Sequence, residues 1–530
     1  MRFEDKIKLY SKERIWDEYC GFLEMSISDY MFVQKRLMEE QMHKWCESGL
    51  GKSIIGEYIP KSIDEFRQRV PLTTYEDYAD ILLSKQEDML PATASIWIQT
   101  TWEGGIRPIK IAPYTREMID VYKHNAIACL LLSCAKEKGD MTIKAGDSVL
   151  YGGAPLPYLT GLLPVAISEE CSFTWLPDCD SSSEKSFSER IKEGFKMANS
   201  TGIDYIFGIG SVNNFITNRL LKSANAGKSS GSGTKMNASL TMIFRYIKAK
   251  YVSKRDKRPI EPYDLFKLKG FVSVGTDARC YKESLAKHWG CEPIEIMAGT
   301  ESSCVGTEDY LHNGMVFFPD TCFYEFLSES EYIKSLEDEN YTPHTCLIDE
   351  VIQNTNYELV ITVLKGGAFA RYRTNDMYSC VSGPKKGALP RFSYLDRGRS
   401  VIDIAGFTRI TEKSIKEAIA ISRLPIVDWI AKKEYTDDNV PFLHIYAEID
   451  PTFQLSHAVV IDLFSEQLTA YFKYFDSDYS DLKHLLKMDP MTFTVLPYGS
   501  IAECEQEMGI KIRRINPDVV VVNSIMNNCN

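Results

Sequence analysis

The sequence predicts an α/β protein: a large N-terminal domain made of a helical cap, α/β sheets and a β-rich lobe, followed by a small C-terminal α+β lid. Three observations carry this prediction. Between about Ile63 and Leu395, short apolar strands alternate with helix patterns, as they do in an α/β body with largely parallel sheets. Before that stretch, apolar residues recur at three- and four-residue spacing, and after Arg399 the pattern changes to a compact mixture of helices and strands. A chain of 530 residues exceeds what one apolar core organises. The expected domains are 1–398 and 399–530.

The elements follow in chain order. From Met1 to about Ser62 the pattern is helical, as in Tyr30-Met31-Phe32-Val33-Gln34-Lys35-Arg36-Leu37-Met38. Strands are expected at Gly146–Tyr151, Ile203–Ile209 and Gly270–Gly275, the last running into a helix over Ala278–Trp289. Tyr357–Leu364 and Ala370–Arg373 read as antiparallel strands of the β-rich lobe. In the lid, Glu412–Ser422 and His457–Phe472 are helical, and Val427–Lys433, Leu443–Ile449 and Met491–Leu496 are strands. One segment stands apart. Ser223–Asn237 is rich in Gly, Ser and Lys and precedes a basic helix pattern, which suggests a flexible surface insertion. Its Gly227-Lys228-Ser229 echoes a phosphate-binding P-loop, but the glycine that motif needs five residues earlier is Lys222.

The stretch with the most chemistry is Trp97–Pro108, an apolar strand entering a hydroxyl-and-glycine turn, with a helix from about Thr115. Such a turn wraps backbone N–H groups around a phosphate. Thr100 and Thr101 supply hydroxyls, Gly104 and Gly105 allow close backbone approach, and Pro108 stiffens the exit. A plain connector has the same composition.

Composition excludes several classes. A net charge of −12 argues against a nucleic-acid partner. No run of eighteen apolar residues occurs, the longest candidate being Ala126–Cys134, so no membrane partner is expected. The charged start Met1–Lys6 lacks the apolar stretch of a signal peptide, and a cytoplasmic protein is expected. Fourteen cysteines without a Cys-x-x-Cys pair, and eight isolated histidines, fit neither a disulfide framework nor a structural zinc site. Cys304, near Glu301, reads either as a nucleophile or as a small core residue.

Downstream of the Thr/Gly turn come Ala298-Gly299-Thr300-Glu301, Tyr372-Arg373-Thr374-Asn375-Asp376, Asp396-Arg397-Gly398-Arg399 and Gly509-Ile510-Lys511-Ile512-Arg513-Arg514. That order resembles the adenylate-forming superfamily of acyl-CoA synthetases, luciferases and peptide-synthetase adenylation domains. Phe66–Tyr78, Gly202–Gly208 and Leu496–Ser500 are more similar to one branch, the acyl-acid amido synthetases of the auxin- and jasmonate-conjugating type with bacterial relatives. The resemblance spans about residue 35 to about 525.

The resemblance implies roles. Lys511 would be the lid lysine that reaches the reacting phosphate; on charge alone it belongs to a solvated basic run. Glu301 would hold Mg²⁺ and Thr300 would contact the α-phosphate; hard oxygen ligands suit that ion. Asp376 would accept both ribose hydroxyls, which two carboxylate oxygens can do, although Asn375 stands where the family has Gly. Arg399 would contact the ribose, with Arg397 as the alternative. Gly275 and Thr276 would border the adenine and the acyl pocket. Ile296 and Met297, shortly before Gly299, would replace the usual stacking aromatic with an aliphatic or thioether surface.

One departure is serious. Trp102 and Glu103 occupy the positions of a glycine and a hydroxyl residue in the family's phosphate loop. A negative charge about 4 Å from a phosphate oxygen costs about 1 kcal/mol in water and roughly 4 kcal/mol at an effective dielectric near 20. Either Glu103 points away, or it binds a metal or the amine, or the loop no longer closes on triphosphate. The expected activity is an ATP- and Mg²⁺-dependent ligase that adenylates a carboxylic acid and passes the acyl group to an amine such as an amino acid. The alternatives are an acyl-CoA ligase with a thiol acceptor and a non-catalytic binding protein.

Overall fold

A computed structural model describes residues 1–100, 109–179, 185, 187–225, 239–338, 340–385, 388–398, 401–406, 408–452, 456–475, 482–483, 486 and 488–528. The chain divides into two compact units, one built from Met1–Thr100 and Lys110–Asp396, the other running from Arg397 to the end.

The large unit begins with helices Phe3–Leu9, Lys12–Cys20, Ile27–Glu47 and Gly49–Ile55, matching the expected helical cap. Ser11, Ser26 and Ser48 each cap a helix by accepting the N–H three residues on. The long helix docks its Tyr30, Leu37, Met38 and Trp45 side into the core, and Gln34 and Gln41 bond to backbone of the sheet region from that same face.

Strands β1 (Ile96–Gln99) and β2 (Ile111–Tyr114) form an antiparallel pair. The remaining strands of this unit are β3 Ser148–Gly152, β4 Thr174–Leu176, β5 Tyr205–Ile209, β6 Gly270–Val274, β7 Ile294–Gly299, β8 Ser303–Glu308, β9 Met315–Phe317, β10 Cys322–Ser328, β11 Thr345–Leu347, β12 Asn356–Val363, β13 Tyr372–Ser382 and β14 Arg391–Arg397. They make one twelve-stranded sheet in the order β11-β10-β12-β13-β14-β9-β8-β7-β6-β5-β3-β4. Strands β3 to β7 are parallel to their neighbours in this group, joined by helices, and β3 and β6 are buried at every residue, as strands covered on both faces must be.

The sequence pattern reads as largely parallel sheets, but only this half is parallel. After β7 a turn at Thr300–Ser302 reverses the chain, the short connections β7–β8 and β8–β9 admit only antiparallel pairing, and the β10–β12 and β12–β13 pairs are antiparallel as well. The expected lobe strands are found as β12 and β13, and the helix after Thr115 is Arg116–Cys134, with Thr115 as its cap. The expected insertion at Ser223–Asn237 falls mostly on residues outside those described.

The small unit carries β15 (Val401–Ile404) and β16 (Thr408–Thr411) as a hairpin, then a three-stranded sheet of β17 (Ile426–Tyr435), β18 (Pro441–Ile449) and β19 (Met491–Leu496). The unit also carries helices Glu412–Ser422, His457–Phe475, Ser500–Met508 and Val519–Asn528. Ile430, Tyr446, Leu496, Ile501, Ile512 and Ile525 share its core. Among the described residues no helix is long and apolar enough to cross a membrane, and the described cysteines are free thiols.

Candidate active site

The Thr/Gly turn begins where β1 and β2 part. Thr100 is buried there and closes the ladder twice: its N–H donates to the Lys110 carbonyl at 2.9 Å, and its Oγ1 accepts from the Lys110 N–H at 3.0 Å. Thr101, Trp102, Glu103, Gly104, Gly105 and Pro108 lie outside the described residues. At the end of β7, the Thr300 hydroxyl donates to the carbonyl of Gln99 at 3.4 Å, and Tyr114 of β2 donates to the carbonyl of Thr300 at 2.9 Å. Two segments two hundred residues apart in sequence therefore meet at the mouth of the β1–β2 pair.

Glu301 sits next to this junction. Its Oε1 accepts from the Tyr372 hydroxyl at 2.8 Å and lies 3.7 Å from the Lys110 ammonium. Neither Lys110 nor Tyr372 carries a role in the sequence reading. Lys110 becomes visible only once β2 folds back toward β7, and Tyr372 only once β13 starts opposite them. Gly275 has φ +107°, a backbone region open to glycine and little else. The parallel β6–β7 ladder ends at the pair Val274–Ile296, immediately before Gly275 on one strand and Met297 on the other.

Asp376 is positioned by an irregularity of the sheet. Between the pairs Glu358–Met377 and Val360–Arg373, Thr374, Asn375 and Asp376 all stand opposite Leu359. The bulge is held by the Thr374 hydroxyl donating to the Leu359 carbonyl at 2.8 Å and by the Asn375 N–H donating to buried Glu358 at 3.1 Å. Asn375 takes φ +60°, a conformation that asparagine tolerates better than most residues. Tyr394 of β14 donates to Asp376 Oδ1 at 3.3 Å.

The Phe66–Tyr78 segment braces these parts. Thr73 pairs with Tyr372, with N–H···O bonds of 2.9 Å to and from the flanking Arg371 and Arg373. The Tyr75 hydroxyl accepts from the Ile111 N–H at 2.6 Å, and the Lys110 ammonium lies 5.9 Å from its ring centre. One short segment thus fixes both β2 and the start of β13.

Next to Tyr394 opens a cavity of about 450 Å³, lined by Arg279, Lys282, Glu295, His312 and Phe392 among others, within the usual size range of a small-molecule site. Lys282 donates to Glu308 at 2.6 Å and is 3.8 Å from Glu295. Burial, reinforced by the nearby Glu308 carboxylate, pushes the Glu295 carboxyl up to about 7. Its folded value is raised, so stability is fully present below about 4.5 and is lost as pH climbs to about 7. Glu295→Gln should therefore be neutral near pH 4.5 and stabilising at pH 8 by roughly 3 kcal/mol, measured by denaturant unfolding. A pH-independent effect would contradict it.

In the small unit, Lys511 is exposed on a short segment just beyond helix Ser500–Met508. Gly509 ends that helix with φ +63°, Ile512 is buried, and the Ile512 N–H donates to Glu505 at 2.9 Å. Arg514 is committed to Asp428 at 2.8 Å. Arg397 lies near Asp403. Burial raises the Asp403 carboxyl, but the Arg409, Lys433 and Arg397 charges together hold it below its ordinary value. Arg399 lies outside the described residues.

Residues 315–397, from β9 to β14, match the GH3 family central domain. No curated protein sequence matches the chain. The solved structure of the AtGH3.15 acyl acid amido synthetase in complex with 2,4-DB aligns over 96% of this chain and 95% of its own, with TM-score 0.50 at 15% identity. A 2-hydroxyisobutyryl-CoA ligase in complex with 2-HIB-AMP and CoA aligns over 95% of this chain and 93% of its own, with TM-score 0.59 at 14% identity. The chain thus resembles the acyl acid amido synthetases and shares the fold of the adenylate-forming enzymes.

Proposed function

We propose that this chain, built on the fold of the adenylate-forming ligases, activates a carboxylic acid with ATP and passes the acyl group to an amine, such as an amino acid. The observation that carries the reading is the junction of Thr300 with the β1 exit, with Lys110, Glu301 and Tyr372 around it and Asp376 on the same strand as Tyr372. In the first step a carboxylate oxygen attacks the α-phosphorus, the bond to the bridging oxygen breaks and pyrophosphate leaves. Two anions meet in this step, and positive charge must offset their repulsion. We assign that charge to Lys511. In the second step the amine nitrogen attacks the acyl carbonyl, AMP leaves with the carboxylate-derived oxygen, and the nitrogen gives up a proton.

Asp376 is assigned to the ribose hydroxyls, and Gly275, Thr276, Met297 and Gly299 to the borders of the adenine site. Thr100, Thr101, Gly104, Gly105 and Thr300 are assigned to the phosphates, and Arg397 or Arg399 to the ribose. No group of three His, Cys, Asp or Glu that could hold a metal occurs among the described residues. A lone carboxylate beside phosphate oxygens is nevertheless a donor set that suits Mg²⁺ arriving with the nucleotide. Glu301 is the candidate, and the ion would neutralise phosphate charge there. We place the domain boundary at 398/399, and the free thiols favour the cytoplasm.

A thiol acceptor is the second reading, because a 2-hydroxyisobutyryl-CoA ligase shares this fold. Exchange of labelled pyrophosphate into ATP, driven by a panel of carboxylic acids, tests adenylation. No exchange with any acid would leave a binding protein with a degenerate phosphate loop. Trapping the activated acyl group with amino acids against coenzyme A separates the two ligases.

A further inference from the structure

Helix Leu240–Asp256 has two faces with different work. Its inner face holds it to the large unit: Met242 and Ala249 are buried, and Arg245 donates to the Leu265 carbonyl at 3.2 Å. Ser239 caps its start. Its outer face is apolar and open. Leu240, Ile243, Phe244, Ile247 and Tyr251 are 76%, 44%, 71%, 59% and 69% exposed, spaced three and four residues apart and so aligned in one stripe. An ordinary surface helix carries charge along that line, and none of these five large apolar side chains belongs to the buried core.

The charge around the stripe selects its partner. At 3.6 residues per turn, Lys248 and Arg255 fall on one side and Lys250 and Lys254 on the other, all exposed. From Leu240 to Arg258 the sequence has seven basic residues and one acidic, in a chain whose net charge is −12. A second copy docking through the same stripe would bring basic flanks against basic flanks, which opposes self-association. A helix that projects its apolar line outward, with lysines on both sides, suits a flat anionic surface: the stripe enters the acyl boundary while the lysine stems reach up to the headgroup phosphates.

We propose that helix Leu240–Asp256 docks the protein onto anionic lipid bilayers, lying in the plane of the interface. With 17 residues, about 25 Å of helix, and charges on both flanks, it lies on the bilayer and does not cross it. The expectation of no membrane partner rests on the lack of a spanning segment, which a helix lying in the interface does not need. The signal was nevertheless present in the sequence as a basic helix pattern. Docking is independent of the ligase reading, and it would hold a ligase at a surface where apolar acids partition.

The test is flotation of the full chain with phosphatidylcholine vesicles with and without phosphatidylserine. Binding is expected only with phosphatidylserine and should fall steeply between about 0.1 M and about 0.5 M salt, as screening shortens the reach of the lysines. The double variant Phe244→Ser, Ile247→Ser and, separately, Lys250→Glu with Lys254→Glu should each lower bound protein about tenfold or more. The altered side chains are exposed, so unfolding midpoints and pyrophosphate exchange should match the parent. Absence of binding to anionic vesicles, binding that both variants retain, or a dimer in sedimentation that Phe244→Ser dissolves would each overturn the proposal.

Discussion

Replacing Lys511 with alanine should lower adenylate formation by about 10²–10³-fold while transfer from pre-made acyl adenylate stays nearly unchanged. The asymmetry follows from where charge develops. During adenylation the incoming carboxylate, the α-phosphate and the departing pyrophosphate are all anionic, and a fixed cation lowers that barrier more than it tightens ground-state binding. During transfer to an amine, pyrophosphate has already gone.

The structure makes the experiment clean. Lys511 is exposed, whereas its neighbours do the structural work: Ile512 fills the core of the small unit, Glu505 accepts the Ile512 N–H, and Arg514 binds Asp428. Truncating Lys511 should therefore leave the unfolding midpoint unchanged. Rates are read by pyrophosphate exchange for the first step and by amide formation from synthetic acyl adenylate for the second. Equal losses in both steps would remove Lys511 from the role assigned to it.

Much of the fold was legible because it rests on local periodicity. Helices Ala278–Trp289 and Glu412–Ser422 and strand Met491–Leu496 end where their patterns end. The antiparallel strands Tyr357–Leu364 and Ala370–Arg373 were legible too, but their union with the parallel strands in one sheet was not, because it depends on the Thr300–Ser302 turn reversing the chain, and a Gly-Thr-Glu-Ser run specifies no direction. The site divides in the same way. That asparagine could stand in for glycine at position 375 follows from its own backbone preference, and φ +60° agrees. The neighbours of Glu301 follow from nothing local, since Lys110 and Tyr372 reach it from opposite directions along the chain. The high pKa of Glu295 is likewise a property of burial and of Glu308, thirteen residues away.

The second large effect is expected at Arg371, which no motif marks as structural. Its guanidinium makes two bonds of 3.1 Å to Glu325, which is 1% exposed, and donates to the carbonyls of Val70, at 2.6 Å, and Arg67. Arg67 and Thr345 also bond to Glu325, at 3.0 Å and 2.6 Å. Burial alone would raise the Glu325 carboxyl, but the Arg371 and Arg67 charges hold it below its ordinary value. Arg371→Met removes one cation from a buried carboxylate and should cost about 3–5 kcal/mol of stability near neutral pH, read as a lower midpoint for the large unit in denaturant. Because the folded value is depressed, the stability supplied by the pair is present above about 4.5 and is lost progressively as pH falls from there through the lowered folded value, so the penalty should shrink in acid. Adding Glu325→Leu should recover part of the loss, since it removes the buried carboxylate while Arg67 keeps its bonds to the Thr345 carbonyl and hydroxyl. The arginine also sets the neighbouring Tyr372, whose hydroxyl reaches Glu301, so the single variant should lose pyrophosphate exchange along with stability. A penalty that persists unchanged at pH 4, or a double variant weaker than the single, would show that Arg371 acts through packing and not through its charge on Glu325.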